Sequence, residues 1–381
     1  MIKNAANEGI VSRFFATGVS PMTIDAMTSG FNITSSITLE LDFHDLMGFR
    51  AAEVEDILLQ VGATRDDLPR LMTDLKEWYD GYLFHEAAPE RLYNSDMIMY
   101  FASHYERRQQ YPRKMLDSNI ATDYTKVKKV FNIQQREAEF IPVLKRLTTE
   151  GALSSEITEF FNLERPFTEG GLISLLFYMG WITIERESNG LYTFFIPNRV
   201  IKELYHEYFV DITQRQYGLN SLVYAVQGAL AKLAQNNDPH PFLEVIKILI
   251  NKVLSLRDAR GFAEKHLKML LIPYLSLSTA HYVASEPEWE NRYPDILLLK
   301  RPNIETQYNF IIELKYVKKA DAKKRNEDTK ELIVEKVKRE ARTQIQQYLQ
   351  TENARRIADL KAWVIVLVGR EWQAEEVVVS L

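Results

Sequence analysis

One short segment of this chain places two opposite charges inside an otherwise apolar strand pattern. In residues 309–316, apolar side chains surround Glu313 and Lys315. Side chains two positions apart on a strand project from the same face, so this carboxylate and this ammonium group point the same way. Burying either charge is costly unless it is paired or bound to a metal ion. The pattern therefore predicts a strand whose polar groups need partners.

A second apolar segment lies just upstream and directly follows another acid. Residues 296–299 form an unbroken apolar run, which is typical of a strand buried on both faces, and Asp295 precedes it. If the two strands pair as a hairpin, Asp295 and Glu313 converge, with Lys315 beside them. Two carboxylates are suitable ligands for Mg²⁺, which activates bound water and stabilises charge on a phosphate. The alternative is a half-exposed strand with a surface ion pair worth about 0–1 kcal/mol.

Helical patterns flank these strands and carry three further polar residues. Residues 332–349 have an apolar stripe at three- and four-residue spacing, and both Gln344 and Tyr348 lie on it. Residues 262–275 form the predicted upstream helix, with Glu264 in its first turn. An amide on an apolar stripe needs a hydrogen-bond partner. We therefore predict that the amide of Gln344 points into the site.

The order of these residues resembles the PD-(D/E)XK nuclease superfamily, whose pattern is a helix Glu, a strand Asp, a strand Glu-x-Lys and a helix Gln-x-x-x-Tyr. The resemblance implies a restriction-endonuclease-like α/β domain with a central mixed sheet at residues 242–381. It also implies a nuclease that depends on Mg²⁺ (or Mn²⁺) and cuts DNA in preference to RNA, with Asp295 and Glu313 as metal ligands. The implied catalytic residues are Glu264, Asp295, Glu313, Lys315, Gln344 and Tyr348. A non-catalytic binding or regulatory module that keeps the nuclease fold is the alternative.

The chain also resembles a bacterial family of AAA-ATPase-like proteins that carry such a domain at the C-terminus. The resemblance rests on the segments at residues 17–21, 29–32, 48–49, 78–82 and 285–299. It implies that residues 1–95 are the C-terminal remnant of an ATPase domain. In that remnant we predict a strand at residues 11–16 and helices at about 51–60 and 68–79. The family's Gly-rich phosphate loop, with its Lys, occurs nowhere in the 381 residues.

The middle of the chain, residues 96–235, is predicted to be mainly helical and winged-helix-like. Helical patterns end in a Gly stop at Gly180, and two alternating segments then flank the turn signal at residues 188–190. A helix followed by a hairpin is the outline of a winged-helix module. Such modules bind DNA or serve as packing spacers, and we favour the spacer here, because the stretch has no basic recognition helix. The polar stretch at residues 234–241, with two prolines, is the predicted linker to the last domain.

The composition of the chain limits its possible covalent cross-links, metal sites and cellular location. The chain has no cysteine, which excludes disulfides and thiolate metal sites and favours a cytoplasmic protein. No apolar run approaches the roughly 20 residues that a membrane span needs, so we predict no membrane partner.

The charge of the chain is unevenly distributed. The net charge is −5, but residues 315–342 hold 11 Lys and Arg against 6 Asp and Glu. A local basic segment beside the candidate site favours a nucleic-acid substrate, DNA in preference to RNA; the alternative is a solvated helix face. The oligomeric state stays open.

The missing phosphate loop leads to a prediction about nucleotides. We expect the chain to bind ATP no more tightly than about 0.1 mM, because nothing in the sequence supplies the backbone amides and the lysine that cradle phosphates. Isothermal titration calorimetry with ATP and Mg²⁺ measures this directly. A dissociation constant well below that value would contradict the prediction.

Overall fold

The chain folds into two compact units, Met1–Lys202 and Glu203–Leu381. Both units contain helices and strands, so the predicted α/β (α+β) class is confirmed. No helix among the described residues is long and apolar enough to cross a membrane. The computed structural model describes residues 8–15, 17, 36–117, 137–158, 168–219, 221–253, 263–302, 304–318 and 327–378.

Amphipathic helices build the core of the first unit. In the helix Leu68–Tyr79 the buried residues recur at three- and four-residue spacing, from Leu68 through Leu71 and Leu75 to Trp78. A proline in its first turn suits the helix start, where the missing N–H has no partner to lose. The predicted helices of this region are confirmed. The elements are α1 (Ala51–Gln60), α2 (Leu68–Tyr79), α3 (Ser95–Arg108), α4 (Glu137–Glu150), and the short antiparallel pair β1 (Gly48–Phe49) and β2 (Tyr93–Asn94).

A three-stranded antiparallel sheet completes the first unit. Helix α5 (Glu169–Tyr178) leads into a hairpin of β4 (Thr183–Ser188) and β5 (Leu191–Phe195), and β3 (Ala152–Ser155) pairs with the other edge of β5. Asn189 and Gly190 have positive φ angles of 55° and 81°, as a two-residue hairpin turn requires. The predicted helix-then-hairpin outline of this region is therefore confirmed.

The expected strand at the start of the chain is not observed. Residues 11–15 are irregular and 16 lies outside the described residues, so the apolar pattern of this stretch does not produce a ladder there. An apolar run forms a strand only where a partner strand supplies its hydrogen bonds. Most of the segment at residues 17–21, and all of that at 29–32, also lies outside the described residues.

The second unit is built on a five-stranded mixed sheet. Its strand order is β10-β9-β8-β7-β6, and every neighbouring pair is antiparallel except the parallel pair β8–β9. The hairpin expected between the two apolar segments is present as β7–β8. The strands are β6 (His281–Ser285), β7 (Ile296–Lys300), β8 (Asn309–Val317), β9 (Leu360–Val368) and β10 (Glu371–Val377).

Helices cover both faces of this sheet. On one face Ile312 and Leu314 of β8 join a core with helices α7, α8 and α9; on the other, Ile311 joins a core with α10. Because successive side chains of β8 alternate between the two faces of the sheet, this strand contributes to both cores. The parallel crossover from β8 to β9 carries α10 over its face of the sheet. The helices of this unit are α6 (Arg199–Tyr217, which begins in the first unit), α7 (Leu222–Asn236), α8 (His240–Val253), α9 (Glu264–Leu275), α10 (Glu327–Leu349) and α11 (Glu352–Arg355).

The stretch predicted as a linker is a short turn packed on the sheet. Helix α7 ends at Asn236 and α8 begins at His240. Between them, the side chain of Asn237 accepts a hydrogen bond from the indole of Trp363 at 2.8 Å and donates one to Glu376 at 2.8 Å. The compact core thus begins before this turn. The domain ranges 1–95, 96–235 and 242–381 stay predictions.

Gly81 offers a test of the packing in the first unit. Its φ is +114°, and a Cβ there would meet the backbone carbonyl of Pro197. We expect Gly81→Ala to lower the free energy of unfolding by about 1–3 kcal/mol, because side chains rarely adopt this conformation and backbone cannot yield easily. Urea denaturation measures the change.

Gly190→Ala is the matched control, since Gly190 also has a positive φ but a Cβ there meets nothing within 4 Å. We expect it to cost less than Gly81→Ala. Equal losses in the two variants would show that the contact with Pro197 contributes nothing.

Candidate active site

The register of the β7–β8 hairpin brings two acids face to face. Ile296 pairs with Ile312, so the next position along the ladder sets Asp295 opposite Glu313. Directly opposed residues on antiparallel strands project from the same face of a sheet. The backbone N–H of Leu314 donates to Oδ2 of Asp295 at 2.8 Å, which fixes this carboxylate against β8. The hairpin register thus agrees with the expected convergence; that the two carboxylates share one cation stays a prediction.

Glu313 is buried with one half of its carboxylate unused. The residue is 1% exposed, and the ammonium group of Lys315 donates to its Oε1 at 2.7 Å. Its Oε2 has no hydrogen-bond partner within the described part of the chain. An unsatisfied, buried carboxylate oxygen is costly, and the alternative of an exposed surface pair is therefore wrong.

Burial makes the Glu313 carboxyl a weak acid. Desolvation, together with the negative charge of Asp295, raises its pKa to about 7 against the lowering effect of Lys315. The site therefore holds a proton that a competing cation can displace near neutral pH.

Asp295 is paired with a lysine that the sequence did not single out. Nζ of Lys268 lies 2.5 Å from Oδ1 of Asp295 and 2.7 Å from Oε1 of Glu286. Burial lowers the pKa of Lys268, but its hydrogen bonds to these two acids raise it by more, so the net shift is upward. Lys315 pairs with Glu313, whereas Asp295 is reached by Lys268 from α9.

Glu264 stands on the outer side of Lys315. Its Oε1 is 3.8 Å from Nζ of Lys315, and it lies in the first turn of α9, as predicted. Burial raises the pKa of Glu264, against the lowering effect of Lys315, and the Asp295 charge adds to the rise. Burial lowers the pKa of Lys315, but Glu313 and Glu264 raise it by more, so this ammonium group stays charged.

Tyr348 and Gln344, the two site residues predicted on α10, lie on the same face of the helix but are not equally buried. Tyr348 is buried, and its hydroxyl donates to the carbonyl of Tyr293 at 3.4 Å. Burial and the nearby charges of Glu313 and Asp295 raise the pKa of Tyr348 to about 12. Gln344 is half-buried on the same face. That its amide enters the site stays a prediction.

Two functional candidates went unrecognised or were given another role. Lys268 follows Glu264 by four residues, so both lie on one face of α9; that spacing was the available signal. Glu286 accepts a hydrogen bond from Lys268 at 2.7 Å and so holds this lysine at the site. The nearby His281 is a buried structural residue whose ring bonds the carbonyl of Tyr308 at 2.7 Å.

The donor set fits one divalent cation held by two carboxylates. Four carboxylates and two ammonium groups meet here, so the fully ionised cluster carries two net negative charges. The orphaned Oε2 of Glu313, opposite Asp295, is a free oxygen of the kind that Mg²⁺ prefers. Among the described residues, no group of three His, Asp or Glu side chains is arranged to hold a metal ion. The protein would thus leave most coordination positions to water and substrate.

Part of this unit is similar to a known protein family. Residues 262–379 match a family model described as the PD-(D/E)XK nuclease superfamily. Neither curated proteins nor solved structures gave a match. The matched range contains every predicted site residue and the whole five-stranded sheet, which agrees with the restriction-endonuclease-like fold. The ATPase-like resemblance of the preceding residues stays a prediction.

The raised pKa of Glu313 has a consequence for stability. The folded-state value of about 7 exceeds the ordinary value of 4.5. The folded state therefore keeps its proton better than the unfolded state, and the stability this gives is complete below pH 4.5 and lost as pH rises through about 7. Glu313→Gln removes the titration. We expect the stability of the wild type relative to this variant to fall by about 3 kcal/mol across that window.

Thermal unfolding in EDTA from pH 4 to pH 8 measures the difference. Glu352→Gln is the control, because Glu352 is largely exposed on α11, and its curve should run parallel to that of the wild type. A Glu313→Gln curve that also runs parallel would rule out a raised pKa.

Proposed function

We propose that the C-terminal unit is a divalent-metal-dependent nuclease that hydrolyses phosphodiester bonds, in DNA rather than RNA. The observation that carries this is the buried Glu313, whose Oε2 has no partner among the described residues while Asp295 faces it across the hairpin. An ionised carboxylate that is buried with a free oxygen is stabilised by a cation. The match of residues 262–379 to a nuclease superfamily supports the reaction class.

Asp295 and Glu313 would hold the metal, Mg²⁺ or Mn²⁺. When bound, such a cation lowers the pKa of a coordinated water and stabilises negative charge on a phosphate. The N–H of Leu314 orients Asp295 through Oδ2, and Lys315 orients Glu313 through Oε1. Each acid is therefore fixed before the metal arrives, which lowers the entropy cost of binding.

Lys315 would act on the substrate as well as on Glu313. Its ammonium group keeps its charge at neutral pH, since nearby carboxylates raise its pKa despite burial. A fixed positive charge at this point can stabilise the anion that develops on the phosphate. Glu264 holds Lys315 from the other side and is a positioning residue.

The helix α10 would provide the remaining parts. Tyr348 keeps its proton at all physiological pH values, because its pKa is raised to about 12, so it serves as a hydrogen-bond donor. It binds the carbonyl of Tyr293, two residues before Asp295, and thereby supports the acid. Gln344 would contribute a further polar group to the same face. The exposed Lys336 and Arg339 on this helix supply positive charge for a nucleic-acid backbone.

A non-catalytic binding or regulatory module is the second candidate. The feature that favours it is the pairing of Asp295 with Lys268 and of Glu313 with Lys315. Such internal pairing lets the unit fold without a metal. Cleavage assays separate the two functions.

We expect the chain to cleave plasmid or single-stranded DNA with Mg²⁺ or Mn²⁺ but not with EDTA. Asp295→Asn and Glu313→Gln should each abolish the cleavage, because they remove a charged ligand and keep the size of the side chain. Lys315→Ala should lower the rate by about a hundredfold or more while Mn²⁺ binding persists, since an ammonium group is not a ligand. Gel assays and calorimetry measure the two effects.

Glu371→Gln is the matched control, because this exposed acid lies on the edge strand β10 and pairs with Lys247 rather than with a residue of the candidate site. Its activity should equal that of the wild type. Equal cleavage by the wild type and Asp295→Asn would indicate a different site. An inactive wild type that still binds nucleic acid would favour the module.

A further inference from the structure

The two candidate metal ligands are not equally ready for a cation. At Glu313, Lys315 occupies Oε1 and leaves Oε2 without a partner among the described residues. At Asp295 both oxygens are in use, Oδ2 by the N–H of Leu314 and Oδ1 by Lys268. A metal can therefore approach Glu313 without disturbing its lysine. At Asp295 it meets a backbone N–H on one oxygen and the ammonium group of Lys268 on the other.

Lys268 is held firmly in that competing position. Its side chain is 14% exposed and lies between Oδ1 of Asp295 at 2.5 Å and Oε1 of Glu286 at 2.7 Å. Two positive charges on one carboxylate oxygen repel each other strongly where water is largely excluded. A divalent cation on Asp295 and the Lys268 ammonium group in its present place are thus mutually unfavourable.

We propose that Lys268 is an internal competitor for the divalent cation, an ammonium group that occupies Asp295 in the resting site and sets the affinity of the site for metal. This inference rests on the proposed metal-dependent function. Metal binding exchanges one cation for another on Oδ1 of Asp295. The affinity for free metal is lower than that of the same two carboxylates without the lysine.

Glu286 makes the exchange reversible. Its side chain is more than half exposed, whereas that of Asp295 is buried, so it stays in contact with water. The backbone N–H of Glu286 also donates to the carbonyl of Asp295 at 3.2 Å, which holds the two residues together. When the metal takes Asp295, Lys268 retains Glu286 as a partner. It stays beside the site as a positive charge within reach of a bound phosphate.

The test is Mn²⁺ binding by calorimetry to the full chain, without nucleic acid. Lys268→Gln removes the charge but keeps an N–H donor for Asp295. We expect it to bind Mn²⁺ on the order of tenfold more tightly than the wild type, since a like charge next to a ligand opposes a cation. Lys265→Gln is the control. Lys265 is an exposed residue on the same helix, so this variant has the same net charge, and its affinity should stay within about twofold of the wild type.

Lys268→Arg provides a second variant with the charge retained. A guanidinium group can contact both acids at once, so we expect Mn²⁺ binding equal to or weaker than that of the wild type. Metal-free thermal unfolding of each variant checks that it is folded, and added Mn²⁺ should raise the unfolding temperature of Lys268→Gln more than that of the wild type.

The outcomes separate this inference from the proposed function. Equal or weaker Mn²⁺ binding by Lys268→Gln, or tighter binding by Lys268→Arg, refutes the competition and leaves the metal site standing. If Lys265→Gln raises the Mn²⁺ affinity as much as Lys268→Gln does, the effect comes from net charge alone. That result also refutes the competition. No binding by the wild type or by Lys268→Gln up to about 10 mM Mn²⁺ refutes the metal site itself, and the competition with it.

Discussion

The burial of one carboxylate, Glu313, governs the chemistry of the C-terminal unit. A charge 1% exposed to solvent inside a sheet must be neutralised by a proton, an ammonium group or a metal ion. The protein offers the first two: burial raises the pKa to about 7, and Lys315 binds one oxygen. The second oxygen has no partner among the described residues. The fold thus leaves a position beside Oε2 of Glu313 where a positive charge would be stabilising.

The same arrangement shows how a site can be built from a few fixed contacts. Asp295 is held by the backbone of β8, Glu313 by a side chain two residues away, and Lys315 by acids on both sides. Helix α9 contributes one acid and one base at adjacent turns, so it balances its own charge at the site. This explains how four carboxylates converge without driving the strands apart.

The sequence predicted the parts of this unit that depend on local periodicity. The apolar run of β7, the two-faced alternation of β8 and the positions of Glu264 and Tyr348 were all visible in the residue order. The role of Lys268 was not, because its partners depend on how α9 lies against the sheet. Strand β10 was also missed: three Glu residues mask its short apolar face, formed by Trp372 and Ala374. The strand expected at residues 11–16 had the right composition, but residues 11–15 are irregular.

The ladder between β7 and β8 has an evolutionary consequence. Asp295 and Glu313 face each other only because Ile296 pairs with Ile312. A one-residue slip between the strands would send one acid to the opposite face of the sheet. Lengthening the turn that joins them leaves this pairing intact. Insertions and deletions should therefore accumulate in the connection between β7 and β8 during divergence, whereas a single inserted residue within either strand would separate the two acids at once.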